Sequence, residues 1–540
     1  METTVAIAGG IGFFLLGMAV MTDGLKALAG SALRTVLAKA AATSLSGTIW
    51  GAVITLLVQS SSATTMTTIG LVSAGLLTFP QGLSLVFGAN IGTTGTGWLV
   101  ALLGVRVSLT AYALPAVFAG ALLKLMGKGR WAASGAAIAG FALILVGLTT
   151  LQQGMGGLAE QLNPADLPAV LGGAGVPWWS GALGVLALVA TGIVMTTVMQ
   201  SSTAAITVTI SALYAGAIGL DQAVALVIGQ NIGTSTSSAM AAIGASNTAK
   251  RLAVAYIAFK LIAAVVFLVL FPVIVRLMIR ASDTVDPVTL VAAFHTAYNV
   301  VGVAILLPLI GPFTRMIERI VPDRGSPFTR YLDPATLAAS PTVAVEAARR
   351  TVAHVLGALC SSASSPKEQP VAGQPAEALQ QVQVFLSKIT EPLPSEDERQ
   401  WFIGTLHALD HVLRLADALA ESGKVDAVLD NPEEQRAVQL YRDAMRSAAE
   451  SAVLLEHTTV RHAAATGPGE KPAPIIDDLA RRSGELAGLR PQHRRATLDL
   501  IASGRLNASD GFASVDAVRL LDQRAHHAWR AAAHLAGVVT

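Results

Sequence analysis

The sequence is poor in cysteine and in charged residues. A single cysteine among 540 residues, Cys360, excludes an intramolecular disulfide and agrees with a reducing compartment for its part of the chain. Charged residues make up 13% of the chain, whereas an ordinary soluble domain has about 25%. With a formal net charge of +2, no basic arm and no zinc-type spacing, nothing indicates nucleic-acid binding. The 53% of hydrophobic residues instead predict a membrane protein.

The few charges are unevenly distributed along the chain. Residues 1–313 hold 12 of the 37 basic and 7 of the 35 acidic residues. We therefore expect an all-α membrane domain over residues 1–315 and a separate helical domain over 316–540. The N-terminal stretch METTVAIAGGIGFFLLGMAV lacks the basic segment of a cleaved signal, so we expect it to remain as the first span.

Hydropathy predicts nine apolar segments in the first domain. Seven have the length of a single crossing, for which about 20 residues are needed: 4–25, 82–105, 108–127, 132–154, 222–245, 252–275 and 288–313. The other two, 48–78 and 181–213, are longer. Each is either one long helix or two half-helices folded back as a re-entrant hairpin.

The basic residues decide between these alternatives. They form four clusters: Lys26/Arg34/Lys39, Lys124/Lys128/Arg130, Lys250/Arg251, and the residues from Arg315 onward. If both long segments return to their own side, a chain that starts outside places all four clusters in the cytoplasm, as the positive-inside rule requires. If both segments cross, the second cluster lies outside. The hairpins are therefore favoured, with Arg106, Arg276 and Arg280 as exceptions, an outside N-terminus and a cytoplasmic C-terminal domain.

Two motifs recur at one spacing, which indicates an internal repeat. Gln59 in VQSSSATT and Gln200 in MQSSTAAIT are separated by the same interval along the chain as Asn90 in GANIGTTGTG and Asn231 in GQNIGTSTSS. The segments FFLLGMAVMTDGL and FALILVGLTTLQQGM align upstream. We predict two units, about 4–105 and 132–245, followed by closing spans over 252–313. With hairpins that do not cross, the second unit is inverted, an architecture typical of secondary transporters.

The polar motifs inside apolar segments suit an anion site. A turn through QSSSATT would start a half-helix between Ser60 and Ser62, with free N–H groups and the positive end of its dipole at the turn. Serine and threonine hydroxyls can hold phosphate oxygens and a cation of sodium's hardness. The NIGT segments add an asparagine amide, more hydroxyls and a glycine for local unwinding. Serine, threonine and glycine also serve close helix packing, but the doubled motif at a fixed offset favours binding.

Three isolated polar residues of the first domain have simpler interpretations. Asp23 is a candidate coupling-ion ligand, although a solvated helix end is favoured. Lys260 either snorkels or pairs with an unknown partner. For His295, in FHTAYN, a hydrogen-bonded packing role is favoured over proton relay.

The doubled QSS and NIGT motifs, together with FHTAYN, resemble the type II sodium-phosphate cotransporter family, in particular its bacterial branch with a C-terminal PhoU-like domain. The resemblance implies an inverted-repeat transporter of a bacterial inner membrane that moves inorganic phosphate with sodium as the coupling ion, by alternating access and without an organic cofactor. It implies that phosphate and sodium are bound by Gln59, Ser60, Ser61, Ser62, Thr64, Asn90, Thr93, Thr94, Gln200, Ser201, Ser202, Thr203, Asn231, Thr234 and Ser235. Thr203 stands where the first copy has Ser62, which leaves the number of sodium ions open.

The second domain is predicted as an antiparallel helical bundle. Its periodic segments are 334–360, 374–390, 395–422, 432–462, 473–487, 491–504 and 513–536. HALDHVLRLADALA resembles a PhoU helix and places His407, Asp410, His411, Arg414 and Asp417 on neighbouring turns. His407 and His411 are compatible with a metal site, but a solvated surface is favoured because zinc generally needs further ligands. We expect a regulatory role, through a cytoplasmic partner or self-association.

Other functions remain compatible with these patterns. Sulfate or a carboxylate is an alternative transported anion, and a proton is an alternative coupling ion. A further alternative is that the membrane part is a phosphate sensor that signals through the tail. An enzyme is disfavoured because the serines lack a nearby general base and no triad or P-loop is found. The physiological direction and the oligomeric state cannot be read from the sequence.

Overall fold

All regular secondary structure that the computed structural model describes is helical. The described residues are 2–29, 42–104, 110–161, 167–168, 170–171, 176–243, 247–322, 327–364, 374–393, 395–420, 432–458 and 473–538. Arg34, Lys39 and Arg106, which entered the orientation argument, lie outside these residues. The chain divides into two compact units: Met1–Val72 with Leu77–Asp323, and Ser73–Leu76 with Arg324–Thr540.

The first unit is made of long apolar helices and shorter broken ones. In chain order they are α1 (Glu2–Ala29), α2 (Ser44–Val58), α3 (Ser61–Ser73), α4 (Phe79–Leu99, continued by a π-helical turn over Val100–Gly104), α5 (Thr110–Met126), α6 (Arg130–Ala159), α7 (Trp178–Met199), α8 (Ser202–Tyr214), α9 (Leu220–Gly233), α10 (Ser235–Ala242), α11 (Asn247–Val269), α12 (Phe271–Ala281), α13 (Pro287–Leu306) and α14 (Ile310–Ile320). Six of these described helices, α1, α4, α6, α7, α11 and α13, are long and apolar enough to cross a bilayer. The chain is therefore a multi-pass membrane protein.

Helices α1 and α6 pack against each other along a stripe of glycines. A Cβ on Gly10 would lie 2.5 Å from the backbone nitrogen of Leu151, and one on Gly17 would lie 2.6 Å from that of Ile144. A Cβ on Gly24 would lie 2.5 Å from the nitrogen of Ala137. The contacts move down α6 as they move up α1, so the two helices are antiparallel. Only glycine permits this approach of two backbones, which is how helices associate without a hydrophobic driving force.

A second glycine contact occurs twice, at the spacing of the motifs. In the pair α2/α4, a Cβ on Gly88 would lie 1.9 Å from the carbonyl oxygen of Thr48. In the pair α7/α9, a Cβ on Gly229 would lie 2.0 Å from the carbonyl oxygen of Val189. Gly88 and Gly229 are separated by the same interval as Gln59 and Gln200, and so are Thr48 and Val189. The internal repeat of the sequence is therefore also a repeat of helix packing.

The NIGT segments differ from the prediction that their glycines unwind the helix. In the first copy this was wrong, because α4 continues without interruption through Gly92, whose Cβ would lie 2.3 Å from the carbonyl oxygen of Ala52. The glycine there serves close packing. In the second copy a single crossing over 222–245 was predicted, but the helix breaks at Thr234. Side-chain hydroxyls of Thr234, Ser235 and Thr236 each donate to the carbonyl three residues earlier and compete with the helical pattern.

The second unit contains a short 3-10 turn, Pro327–Thr329, and seven described helices. They are α15 (Pro334–Ala339), α16 (Pro341–Ser364), α17 (Gln374–Leu386), α18 (Glu396–Ala420), α19 (Pro432–His457), α20 (Ala473–Ala502) and α21 (Ala508–Leu535). The sequence predicted separate helices over 473–487 and 491–504, but α20 runs through Pro491. Packing against α19 and α21 compensates for the backbone bond that proline cannot make. The core includes Cys360, where burial raises the thiol pKa to about 12.

Candidate functional site

Each QSS motif lies where one helix ends and the next begins. Two residues separate α2 from α3, and two separate α7 from α8. The first of each pair is a glutamine with left-handed backbone, Gln59 with φ 57° and Gln200 with φ 51°. They are the only residues other than glycine with positive φ in the described part of the chain. This conformation costs about 1–3 kcal/mol for a residue with a Cβ, which indicates that the glutamine side chain is needed at both places.

The serine after each glutamine caps the helix that follows. Ser60 Oγ accepts a hydrogen bond from the Ala63 nitrogen at 3.2 Å, and Ser201 Oγ accepts one from the Ala204 nitrogen at 3.2 Å. The first of these helices, α3, begins at Ser61, within the predicted interval from 60 to 62. The other N–H groups of each first turn have no acceptor within their own helix and present the positive end of the helix dipole.

Each glutamine side chain is held in the same way in both copies. Its Nε2 donates to the carbonyl oxygen three residues earlier. Its Oε1 accepts from a hydroxyl 37 residues later, Thr96 for Gln59 and Ser237 at 2.8 Å for Gln200. Both hydroxyls come six positions after the asparagine of the NIGT motif. Sequence reasoning missed Thr96 and Ser237, although a hydroxyl at this position in both copies was the available signal.

A cavity of about 520 Å³ is bordered by both QSS motifs. Ten predicted site residues border it: Gln59, Ser60, Ser61, Ser62, Thr93, Gln200, Ser201, Ser202, Thr203 and Thr234. Five do not: Thr64, Asn90, Thr94, Asn231 and Ser235. Further polar side chains border it that the sequence did not single out as ligands: Thr22, Lys26, Thr65, Thr96, Thr196, Ser237, Ser238 and Tyr256. The cavity therefore combines two helix N-termini with hydroxyls and amides from both copies.

The two asparagines of the NIGT motifs make interhelical bonds beside the cavity. Asn90 Oδ1 accepts from the Tyr256 hydroxyl at 2.9 Å. Asn231 Oδ1 accepts from Lys260 Nζ at 3.3 Å and from Asn299 Nδ2 at 3.2 Å. Both asparagines are buried and also donate to the carbonyl four residues earlier. They therefore connect α4 and α9 to the closing helices α11 and α13.

The other three predicted residues outside the cavity lining make local bonds. Thr64 Oγ1 accepts from Thr55 Oγ1 at 2.9 Å and lies against the carbonyl of Ser60 at 3.2 Å. Thr94 and Ser235 each donate to the carbonyl three residues earlier, at 2.8 Å and 2.6 Å. These hydroxyls support the backbone near the two breaks.

The cavity has little fixed side-chain charge. Of the described residues that border it, Asp23 and Lys26 are the charged ones, and their nearest charged atoms lie 3.9 Å apart. The Asp23 side chain is 78% exposed and lies within α1, six residues before its end. With no arginine in the lining, an anion here would be stabilised by helix N-termini and hydroxyl donors.

His295 is buried on α13 at 3% exposure. Its backbone carbonyl accepts from Asn299 Nδ2 at 3.0 Å, whereas its Nδ1 has no hydrogen-bond partner within the described part of the chain. The hydrogen-bonded role expected for this ring is thus not seen at Nδ1.

In the second unit, five histidines lie together where α18 packs on α21. His411 Nδ1 is 3.0 Å from His527 Nδ1, and the rings of His407 and His534 stack with centroids 4.9 Å apart, with His526 beside them. Burial, together with the neighbouring His527, lowers the pKa of His411 to about 4. No group of three or more histidine, cysteine or carboxylate side chains in the described ranges is arranged to hold a metal ion.

Comparison with known proteins identifies the membrane unit. A model of the Na+/Pi-cotransporter family matches residues 13–153 and 184–303. The chain is 30% identical to the Bacillus subtilis protein YqeW, which is named as uncharacterized, over 312 residues that cover 58% of this chain and 96% of YqeW. It is 28% identical to a protein of Escherichia coli K12, named as the putative inorganic phosphate export protein YjbB, over 65% of this chain and 63% of that protein.

A shorter similarity reaches a human protein. The chain is 44% identical over 59 residues to the human sodium-dependent phosphate transport protein 2B, which is 11% of this chain and 9% of that protein. No solved structure matches the chain. The family match covers both QSS breaks and both NIGT motifs, and the relative YqeW is covered almost completely. The chain therefore belongs to the Na+/Pi-cotransporter family.

Proposed function

We propose that the membrane unit carries inorganic phosphate across a bacterial inner membrane together with sodium, by alternating access. The observation that supports this most is the cavity bordered by two helix N-termini and by the hydroxyl and amide side chains of both QSS motifs. Phosphate has enough oxygens to accept hydrogen bonds from both halves at once. The family name and the name of the Escherichia coli relative agree with phosphate as the substrate.

The proposal assigns phosphate and sodium binding to the ten predicted residues that border the cavity, from Gln59 to Thr234. The five that do not border it hold the backbone and the neighbouring helices in position. Hydroxyl and amide oxygens are hard ligands that suit sodium, and a sodium ion beside the anion would offset its charge where water is excluded. The first and second copies would thus form one site rather than two.

The architecture in this proposal is an inverted repeat with two re-entrant hairpins. It is supported by the antiparallel packing of α1 on α6, which are equivalent helices of the two repeats, and by the breaks at Gln59 and Gln200. The first hairpin would consist of α2 and α3, and the second of α7 and α8, although α7 alone is long enough to cross. Rocking of one repeat against the other would expose the cavity alternately to each side.

Orientation and direction complete the proposal. The basic clusters favour an outside N-terminus and a cytoplasmic helical domain from about residue 316, which is proposed as a PhoU-like regulatory domain. Sodium entering down its gradient favours uptake. The name of the Escherichia coli relative concerns export, so efflux under phosphate load is the alternative direction.

Radiolabelled phosphate flux into proteoliposomes tests the function. We expect uptake that requires an inward sodium gradient, is not supported by potassium, and collapses in both Gln59→Ala and Ser202→Ala. Glu160→Ala, at an exposed position after α6, serves as the control. Phosphate binding without flux would favour a sensor, and uptake of sulfate or a carboxylate in place of phosphate would overturn the substrate.

A further inference from the structure

One ammonium group is buried inside the membrane unit without a carboxylate partner. Lys260, on α11, is 2% exposed. Its Nζ donates to Asn231 Oδ1 at 3.3 Å and to Asn299 Oδ1 at 3.2 Å, and lies 5.5 Å and 5.6 Å from the ring centroids of Phe259 and Tyr256. No carboxylate of the described residues forms an ion pair with it. Amide oxygens and aromatic faces form an environment that suits a monovalent cation.

The sequence around Lys260 shows that its charge is not needed for hydrogen bonding. The segment AYIAFK, residues 255–260, aligns with FHTAYN, residues 294–299, so that Lys260 and Asn299 occupy equivalent positions, each directly after an aromatic residue. Asn299 itself donates to Asn231 Oδ1 at 3.2 Å. An amide thus fits such a position and bonds to the same oxygen, at a lower desolvation cost than an ammonium group. What a protonated lysine adds is a positive charge.

That charge lies close to the cavity. Tyr256, one helical turn before Lys260, borders the cavity, and its hydroxyl contacts Asn90 Oδ1 at 2.9 Å and Thr234 Oγ1 at 3.3 Å. Asn231, which accepts from Lys260, is three residues before Thr234, which also borders the cavity. In surroundings of low dielectric constant a charge one turn away acts on an anion much more strongly than it would in water.

We propose that the Lys260 ammonium is a tethered cation that replaces one coupling sodium ion in the second half of the transporter. It would offset part of the phosphate charge while remaining attached to α11, so that one fewer free cation moves with each phosphate. This inference rests on the proposed function and adds to it a cation position that the QSS and NIGT motifs do not indicate.

The test compares Lys260→Asn, which introduces the residue of the equivalent position 299, with wild type in proteoliposomes. Sodium dependence of phosphate uptake and charge moved per phosphate, by solid-supported-membrane electrophysiology, are both measured. The variant should need one more sodium ion per phosphate, show a steeper dependence on sodium, and move one more positive charge per phosphate. Lys260→Gln is the second amide variant, and Lys124→Asn, at an exposed lysine in the last turn of α5, is the matched control that should behave as wild type.

The outcomes separate this inference from the proposed function. An unchanged charge-to-phosphate ratio and sodium dependence in an amide variant that transports would overturn the inference alone. If neither amide variant transports, Lys260→Arg decides. If the arginine variant transports with the sodium dependence of wild type, a positive charge at position 260 is supported. If a monodisperse arginine variant carries no flux, the inference is overturned. Wild type that moves no phosphate under any sodium gradient would overturn the proposed function and this inference together.

Discussion

The two copies of the QSS motif agree in some features and differ in others. Both have a left-handed glutamine, a serine cap, a hydroxyl 37 residues later on the glutamine oxygen, and a glycine against a carbonyl in the helix pair. They differ behind the break. In the first copy Thr55 donates to Thr64, whereas in the second copy the equivalent positions are Thr196 and Ala205. Thr196 Oγ1 is buried and has no partner among the described residues.

This comparison separates the features that form the site from those that hold the surrounding helices in place. The left-handed glutamine, the serine cap and the hydroxyl that donates to the glutamine oxygen are present in both copies, at a cost in backbone strain on each side. The polar pairs behind the tip vary, and so do the partners of the two asparagines, a tyrosine for Asn90 and a lysine with an amide for Asn231. We therefore expect substitutions at the tips to have equal effects in both copies and substitutions behind them to have unequal effects.

The largest effects on stability are expected where two backbones meet. Gly88→Ala and Gly229→Ala place a Cβ 1.9 Å and 2.0 Å from a carbonyl oxygen, so the helix pair must separate. Each should lower the free energy of unfolding by about 2–3 kcal/mol. Gly12→Ala, where a Cβ meets nothing within 4 Å, should leave stability unchanged or raised. Thermal unfolding in detergent measures the stability of all three variants. If alanine leaves the stability unchanged at Gly88 or at Gly229, the two helix pairs are not packed in the same way.

Removing the glutamine side chains should separate function from stability. Gln59→Gly and Gln200→Gly retain the left-handed backbone and relieve its strain of about 1 kcal/mol or more, which offsets the lost side-chain hydrogen bonds. Phosphate affinity should nevertheless fall by roughly tenfold or more in each, because a bond to a charged ligand is worth about 1.5–3 kcal/mol. Binding of labelled phosphate and melting temperature are measured together. Unchanged affinity in one variant would restrict the site to the other copy.

A smaller effect should distinguish the copies. Thr64→Ala leaves Thr55 without its acceptor, as Ala205 leaves Thr196, and should cost about 1–2 kcal/mol of unfolding free energy. Adding Thr55→Val should recover part of this loss, because no buried hydroxyl is then unpaired. Thr196→Val should be neutral or slightly stabilising for the same reason. Equal losses from Thr55→Val and Thr196→Val would contradict this account of the difference.

The smallest expected effect is that of pH on local stability. We expect it in the second unit and not in the two copies of the QSS motif. Their glutamine, serine and threonine side chains do not titrate between pH 5 and 7. Four histidines on α18 and α21 have shifted pKa values, and the neighbouring charged groups are Asp410, Arg414, Asp522 and Arg530. Burial lowers the pKa of His411 to about 4 and lowers those of His526, His527 and His534.

The sign of the pH effect follows from these shifts. A histidine whose folded pKa is depressed stabilises the folded state above its ordinary pKa of about 6.5, and this stabilisation is lost as pH falls toward the folded pKa. The free energy of opening, obtained from hydrogen exchange after correction for the intrinsic exchange rate at each pH, should therefore fall in α18 and α21 between pH 7 and pH 5, with no change in α2–α4 or α7–α9. The double variant His411→Asn/His527→Asn should reduce this pH dependence. An equal pH response of both units would contradict the assignment of the effect to these histidines.

The sequence predicted the repeat and the breaks because both depend on local patterns. The fixed interval between the copies and the polar stretch around Gln59 are visible without any structure. The contacts of Lys260 with Asn231 and Asn299 were not predictable, because pairing between distant helices leaves no periodic signal. Gly92 was misread for a related reason: a glycine that unwinds a helix and one that admits a neighbouring backbone look the same in sequence.

We propose that the two copies together form one phosphate site. Equilibrium binding of labelled phosphate to purified protein at saturating sodium tests it most directly, with wild type, Ser61→Ala and the equivalent Ser202→Ala. If the site is shared, one phosphate should bind per chain, and it should bind more weakly in each variant. Two phosphates per chain, with one site intact in each variant, would contradict it.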